Sequence, residues 1–123
     1  GQPAEDFKTV YNIVLEAHLA GVRAAKPGEK ACDVDRAARE VIQRAGYGSF
    51  FTHRLGHGIG LDVHEPPFIS AISPLSLEPG NVFSCEPGIY LPGRFGIRIE
   101  DLLVMGENGV QSLNTLSKEL TIL

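Results

Sequence analysis

Along residues 4–25 apolar side chains return every three or four positions: Phe7, Val10, Tyr11, Val14, Ala17, Gly21 and Val22, with Leu15 alongside. That period predicts an amphipathic helix, closed by Lys26-Pro27-Gly28. A second run over 32–45 places Val34, Ala37, Ala38, Val41, Ile42 and Ala45 on one face and stops at Gly46. Asp33 and Asp35 fall in its first turn, where the helix dipole favours negative charge. Beyond Gly46 the helical period gives way to short apolar runs cut by Gly and Pro. Residues 81–86 predict a strand between Glu78-Pro79-Gly80 and Pro87-Gly88, and 97–105 predict another. Gly106-Glu107-Asn108-Gly109 turns that strand back into 110–113 as a hairpin. Two helices followed by antiparallel strands define an α+β domain, with helices on one face of a curved, mainly antiparallel sheet. No linker or repeat divides the chain, so residues 1–123 read as one domain.

Composition narrows the class without changing this picture. A chain of 123 residues can bury a core of its own. A net charge of −4 with no basic cluster argues against a nucleic-acid partner. No apolar run approaches the ~20 residues of a membrane span, and no signal-peptide pattern opens the chain. Two cysteines, Cys32 and Cys85, make no disulfide framework, and the expected compartment is the cytoplasm. The opening Gly1-Gln2-Pro3 leads almost at once into a strong helix, as expected of a piece of a longer polypeptide.

The candidate chemistry lies in the second half. His53, His57 and His64 fall within HRLGHGIGLDVHEPP, and the glycines around His57 let a neighbouring backbone or a ligand approach closely. Those glycines also argue against a helical His-x-x-x-His zinc pair, so a hydrogen-bonded structural imidazole is the alternative to a ligand. Glu86 ends its predicted strand in CEPGIY, and Glu100 lies inside the next one in RIED. Alternation puts Arg98 and Glu100 on one face, with Asp101 on the other as a surface or hydrogen-bonded residue. Arg98 and Glu100 are then either an exposed charge pair or a pair turned toward the concave side, near His57. One imidazole and two glutamates are a sparse set for two hard cations.

These segments, His53 to Pro67, Glu86-Pro-Gly-Ile-Tyr and Gly96-Ile-Arg-Ile-Glu-Asp, resemble the C-terminal part of Xaa-Pro dipeptidases (prolidases) and Xaa-Pro aminopeptidases, metallopeptidases of the pita-bread fold. The intervals of 29 residues from His57 to Glu86 and 14 to Glu100 fit as well. The resemblance implies the C-terminal half of a pita-bread catalytic domain that cleaves the bond before proline in di- or oligopeptides. A metal-free pita-bread binding protein is the reading from another class. Family members hold two divalent ions, Mn²⁺ foremost with Co²⁺ or Zn²⁺ as alternatives, on two aspartates, a histidine and two glutamates. By motif His57, Glu86 and Glu100 match the last three. Glu86 also matches the general base, His64 a histidine at the scissile bond, His53 a pocket histidine, and Arg98 a substrate or ligand partner. The two aspartates match no position here; Asp6, Asp33, Asp35 and Asp62 stand in the wrong contexts. The resemblance thus implies weak metal binding and no activity for this stretch alone, a homodimeric parent, and self-association of the stretch through an unpaired sheet edge.

Overall fold

The computed structural model describes all of residues 1–123. Helix α1 (Glu5–Ala24) and helix α2 (Ala31–Arg44) occupy the spans that the apolar period predicts. Their inward faces differ in detail. Val10, Val14, Ala17 and Gly21 of α1 are buried as expected, and so is His18. In α2, Ala31, Val34, Ala38 and Ile42 are buried, and so is Asp35. Asp35 is therefore no first-turn surface charge. Its carboxylate takes two hydrogen bonds from Arg39, at 2.8 and 3.0 Å, and one from the Leu55 amide at 3.0 Å.

After a 3-10 turn at Gly48–Phe50 come β1 (Gly56–Gly58), β2 (Glu65–Ile69), β3 (Val82–Cys85), β4 (Gly88–Leu91), β5 (Phe95–Arg98), β6 (Asp101–Gly106) and β7 (Gly109–Ser112). Five of them form an antiparallel sheet in the order β2-β1-β3-β6-β7, while β4 and β5 make a separate hairpin. The α+β architecture holds. One expectation needs correction. The strand expected over 97–105 is two strands in different sheets, and Glu100 sits at the junction between them rather than inside either. Strand β3 ends just before Pro87-Gly88, as expected, and Gly88 opens β4. Strands β1, β2 and β4 are rich in Gly and Pro, which hides them from an alternation test.

Helix α1 lies directly against β3. A Cβ on Gly21 would meet Cys85 Sγ at 3.0 Å and Leu55 at 3.2 Å, so glycine sets the distance between helix and sheet. A polar cluster is sealed beneath the same contact. Asp101, 3% exposed, accepts from His18 Nε2 at 3.1 Å and from Lys118 Nζ at 2.9 Å. Burial lowers the His18 pKa against the pull of Asp101, so the imidazole is the neutral donor in this pair. Since Cys85 pairs with Asp101 across β3 and β6, this cluster braces the rung just behind Glu86 and Glu100.

Candidate functional site

The sheet delivers His57 from its middle. β1 pairs with β2 on one side and β3 on the other, and its register against β2 slips between His57 and Gly58. The slip takes up Pro66 and Pro67, which have no place in a regular ladder (Pro has no N–H), and a bulge of this kind re-aims the neighbouring side chain. Gly56 and Gly58 earn their place by close approach. A Cβ on Gly56 would fall inside the van der Waals shell of the Ser84 carbonyl, and one on Gly58 would strike Pro66.

His57 and Glu86 then face each other. His57 Nδ1 lies 2.9 Å from the Gly58 carbonyl, so Nδ1 carries a proton and donates it there, and in the neutral tautomer Nε2 keeps its lone pair. Its Nε2 lone pair is left 3.1 Å from Glu86 Oε1. Two acceptors meet across that gap, an arrangement that a proton or a cation makes attractive. Ligating histidines characteristically anchor their other nitrogen on a carbonyl in this way. The oxygen and imidazole donors fit a hard or borderline divalent ion. Burial pushes the neighbouring Cys85 thiol far up, so it stays protonated and offers no thiolate.

The rest of Glu86 is also occupied. Ser84 donates its hydroxyl to Glu86 Oε1 at 2.8 Å and accepts the His57 amide at 3.0 Å. Arg98 donates to Glu86 Oε2 at 3.2 Å. Ser84 carries no role in the sequence reading, since its burial and its bond to the His57 amide, 27 positions away, exist only in the fold.

An open cleft of about 610 Å³ lies over the pair, lined by His53, His57, His64, Arg54, Arg98, Phe68, Ser70, Ile72 and Glu86. The exposed His64 ring sits 4.3 Å from the His57 ring, centroid to centroid. His53 Nδ1 bonds the Arg54 carbonyl at 2.7 Å, and its Nε2 meets the Tyr90 hydroxyl at 2.8 Å. With Nδ1 as the donor, Tyr90 must be the donor to Nε2. Burial raises the Tyr90 pKa, with Glu86 and Glu100 adding to the effect and Arg98 opposing it, so the phenol keeps its proton. Tyr90, the last letter of EPGIY, was the second residue without an assigned role. Gly88 and Gly96 make room for its ring, since a Cβ at either would lie within 3 Å of it.

Six of the sequence candidates thus divide unevenly. His53, His57, His64, Glu86 and Arg98 share one cleft. Glu100 is exposed and lines a neighbouring hollow with Arg98, Asp101 and Lys118. No third His, Cys, Asp or Glu stands with His57 and Glu86 within reach of one ion. The aspartates do not fill that gap: Asp6 pairs with Arg94, Asp33 with Arg36 and Asp35 with Arg39, while Asp62 stays exposed in the histidine loop.

An imidazole nitrogen and a carboxylate thus converge under a histidine-lined cleft. The chain belongs to metallopeptidase family M24, whose family model matches residues 1–107. It is 48% identical over 120 residues to the Xaa-Pro dipeptidase of Pyrococcus furiosus, covering 98% of this chain and 34% of that protein. The crystal structure of dipeptidase PepE from Mycobacterium ulcerans superposes with a TM-score of 0.96 at 50% identity, covering 98% of this chain and 32% of the other. That of the X-Pro aminopeptidase from Thermotoga maritima gives 0.94 at 49% identity, with 97% and 34% covered. The chain therefore spans about a third of the length of its relatives. Its α+β fold is that part of the pita-bread architecture.

Proposed function

We propose that this chain forms the C-terminal portion of a Xaa-Pro dipeptidase, in which His57, Glu86 and Glu100 hold divalent ions and Glu86 moves the proton. The observation that carries the proposal is the approach of His57 Nε2 to Glu86 Oε1, 3.1 Å apart at the floor of the histidine-lined cleft. Mn²⁺ is the proposed ion, ahead of Co²⁺ and Zn²⁺, because the donors are mostly carboxylate oxygen. Such ions, when bound, polarise the scissile carbonyl and make water a better nucleophile near neutral pH.

The chain's own residues do the remainder. Glu86 takes a proton from a water entering the cleft and passes it to the departing proline nitrogen, which leaves as a secondary amine. Arg98 and Ser84 hold the two carboxylate oxygens in place for that transfer. His64, free and exposed beside His57, is placed to donate to the substrate oxygen as charge develops. His53 plays a narrower part than a free catalytic group: Tyr90 ties its Nε2, so it shapes the pocket wall. Glu100 takes its ligand role by turning its exposed side chain from the β5–β6 junction toward Glu86, both lying just beyond the Cys85–Asp101 rung. Further carboxylates come from outside residues 1–123, and the cytoplasm is the proposed site of action.

The reading is tested on the complete protein with Mn²⁺, using Ala-Pro, Ala-Ala and Ala-Pro-Ala-Ala. Cleavage of Ala-Pro with little cleavage of Ala-Ala is expected. Equal turnover of Ala-Ala would remove the proline specificity from the proposal. Faster cleavage of the tetrapeptide would make the protein an aminopeptidase, the activity named for the Thermotoga relative.

A further inference from the structure

We infer that Lys118, carried on the segment 113–118, is a positioning residue that sets Glu100 for its ligand role, an inference that rests on the metal-site reading above. Glu100 is exposed, but its two neighbours, Ile99 and Asp101, are both buried. The upstream neighbour is tied to the turn after Glu86, since the Ile99 amide donates to the Pro87 carbonyl at 3.3 Å. The downstream side is tied by the segment 113–118. There the Leu113 amide donates to the Leu102 carbonyl at 2.9 Å, and the Leu102 amide to Asn114 Oδ1 at 2.7 Å. Lys118 Nζ then reaches Asp101 Oδ2 at 2.9 Å.

Lys118 is the one cation on that buried carboxylate. The other group on Asp101 is the neutral His18 imidazole, and Asp101 Oδ1 has no hydrogen-bond partner at all. Arg98 lines the same hollow but donates to Glu86 Oε2 at 3.2 Å. Lys118 is itself anchored, because the Tyr11 hydroxyl of α1 donates to its carbonyl at 2.8 Å. A buried charge stripped of its counter-charge is strongly unfavourable, so without Lys118 the Asp101 side chain leaves its place.

The effect reaches Glu100 through the backbone. Successive side chains of an extended segment point to opposite faces, so holding Asp101 inward keeps Glu100 turned outward. His57 and Glu86 depend on other bonds, to the Gly58 carbonyl and the Ser84 hydroxyl, and none of these involves the segment 113–118. Loss of Lys118 therefore falls on the ion that relies on Glu100 and spares the one held by His57 and Glu86.

The test titrates Mn²⁺ into the metal-depleted complete protein, read by calorimetry and by electron paramagnetic resonance. The wild type should bind two ions per chain with the spectrum of a coupled pair. Lys118→Met should keep one ion at wild-type affinity and bind the other about tenfold or more weakly, the scale for losing a group that orients a ligand. The coupled spectrum should fade with it, and Lys118→Arg should restore both. A merely structural role would lower the unfolding temperature and leave the ion count and coupling of the folded protein alone. Tyr11→Phe, which frees only the Lys118 carbonyl, should weaken the same ion to a smaller degree. A folded Lys118→Met protein with wild-type binding of both ions overturns the inference, as does equal weakening of both. If Lys118→Met does not fold, wild-type binding by Tyr11→Phe overturns it. A wild type that holds fewer than two ions overturns the inference together with the ligand assignment beneath it.

Discussion

Glu86→Gln should lower kcat on Ala-Pro by about a thousandfold while leaving the fold in place, within the 10²–10⁴ range of a general acid–base group. The change is nearly isosteric, so the Ser84 hydroxyl keeps an acceptor at Oε1. What disappears is the negative charge opposite the His57 lone pair and the basic oxygen that receives the proton. Arg98 would meet an amide N–H₂ where it now meets Oε2, a second reason for the site to loosen. The two effects are separable. Thermal unfolding of the variant should stay within about 1 kcal/mol of the wild type, because glutamine keeps the Ser84 hydrogen bond and the partner that loses its ion pair, Arg98, is half exposed to water. Retention of more than about a tenth of the wild-type kcat would exclude Glu86 as the base.

Asp35→Ala should be the most destabilising single change, costing about 3–5 kcal/mol, the penalty for removing one partner of a buried ion pair. Asp35 is fully buried and accepts three hydrogen bonds, two from Arg39 and one from the Leu55 amide. Arg39 in turn donates to the carbonyls of Phe51 at 3.1 Å and His53 at 2.8 Å. Removing the carboxylate strands the Leu55 N–H and unties the segment that feeds His53 and His57 into the cleft. Urea unfolding should show the loss, and an Asp35→Ala, Arg39→Met double variant should recover part of it. A cost below about 1 kcal/mol would mean that the ion pair is solvated and does not hold this loop.

Asp35 also shows what the sequence could and could not disclose. A helix expected to start at Cys32 puts Asp35 in its first turn and invites a dipole argument, and helix pattern alone cannot tell that the residue faces inward. The helices themselves and the β6–β7 hairpin were legible, because apolar period and Gly/Pro punctuation are local properties, while the His57–Glu86 pair was legible only through the family resemblance. Strands β1, β2 and β4 were not, because their pairing is long-range and their residues are chosen for close approach: Gly56 under Ser84, Gly58 against Pro66, Gly88 under the Tyr90 ring. The same holds for partners. Ser84, Tyr90 and His18 gain their roles from neighbours distant in sequence, as His18 does from Asp101, 83 positions away. Glu100 carries the opposite lesson. The family resemblance implies a ligand role for it, whereas the fold leaves it exposed at a junction between two sheets.

Calorimetric titration of Mn²⁺ into the metal-depleted complete protein and its His57→Ala variant addresses the central point without relying on turnover. His57 and Glu86 as ligands predict a pair of ions per chain in the wild type, and loss of tight binding for at least one of them in the variant. A His57→Ala protein that binds the same number of ions with the same affinity would contradict it.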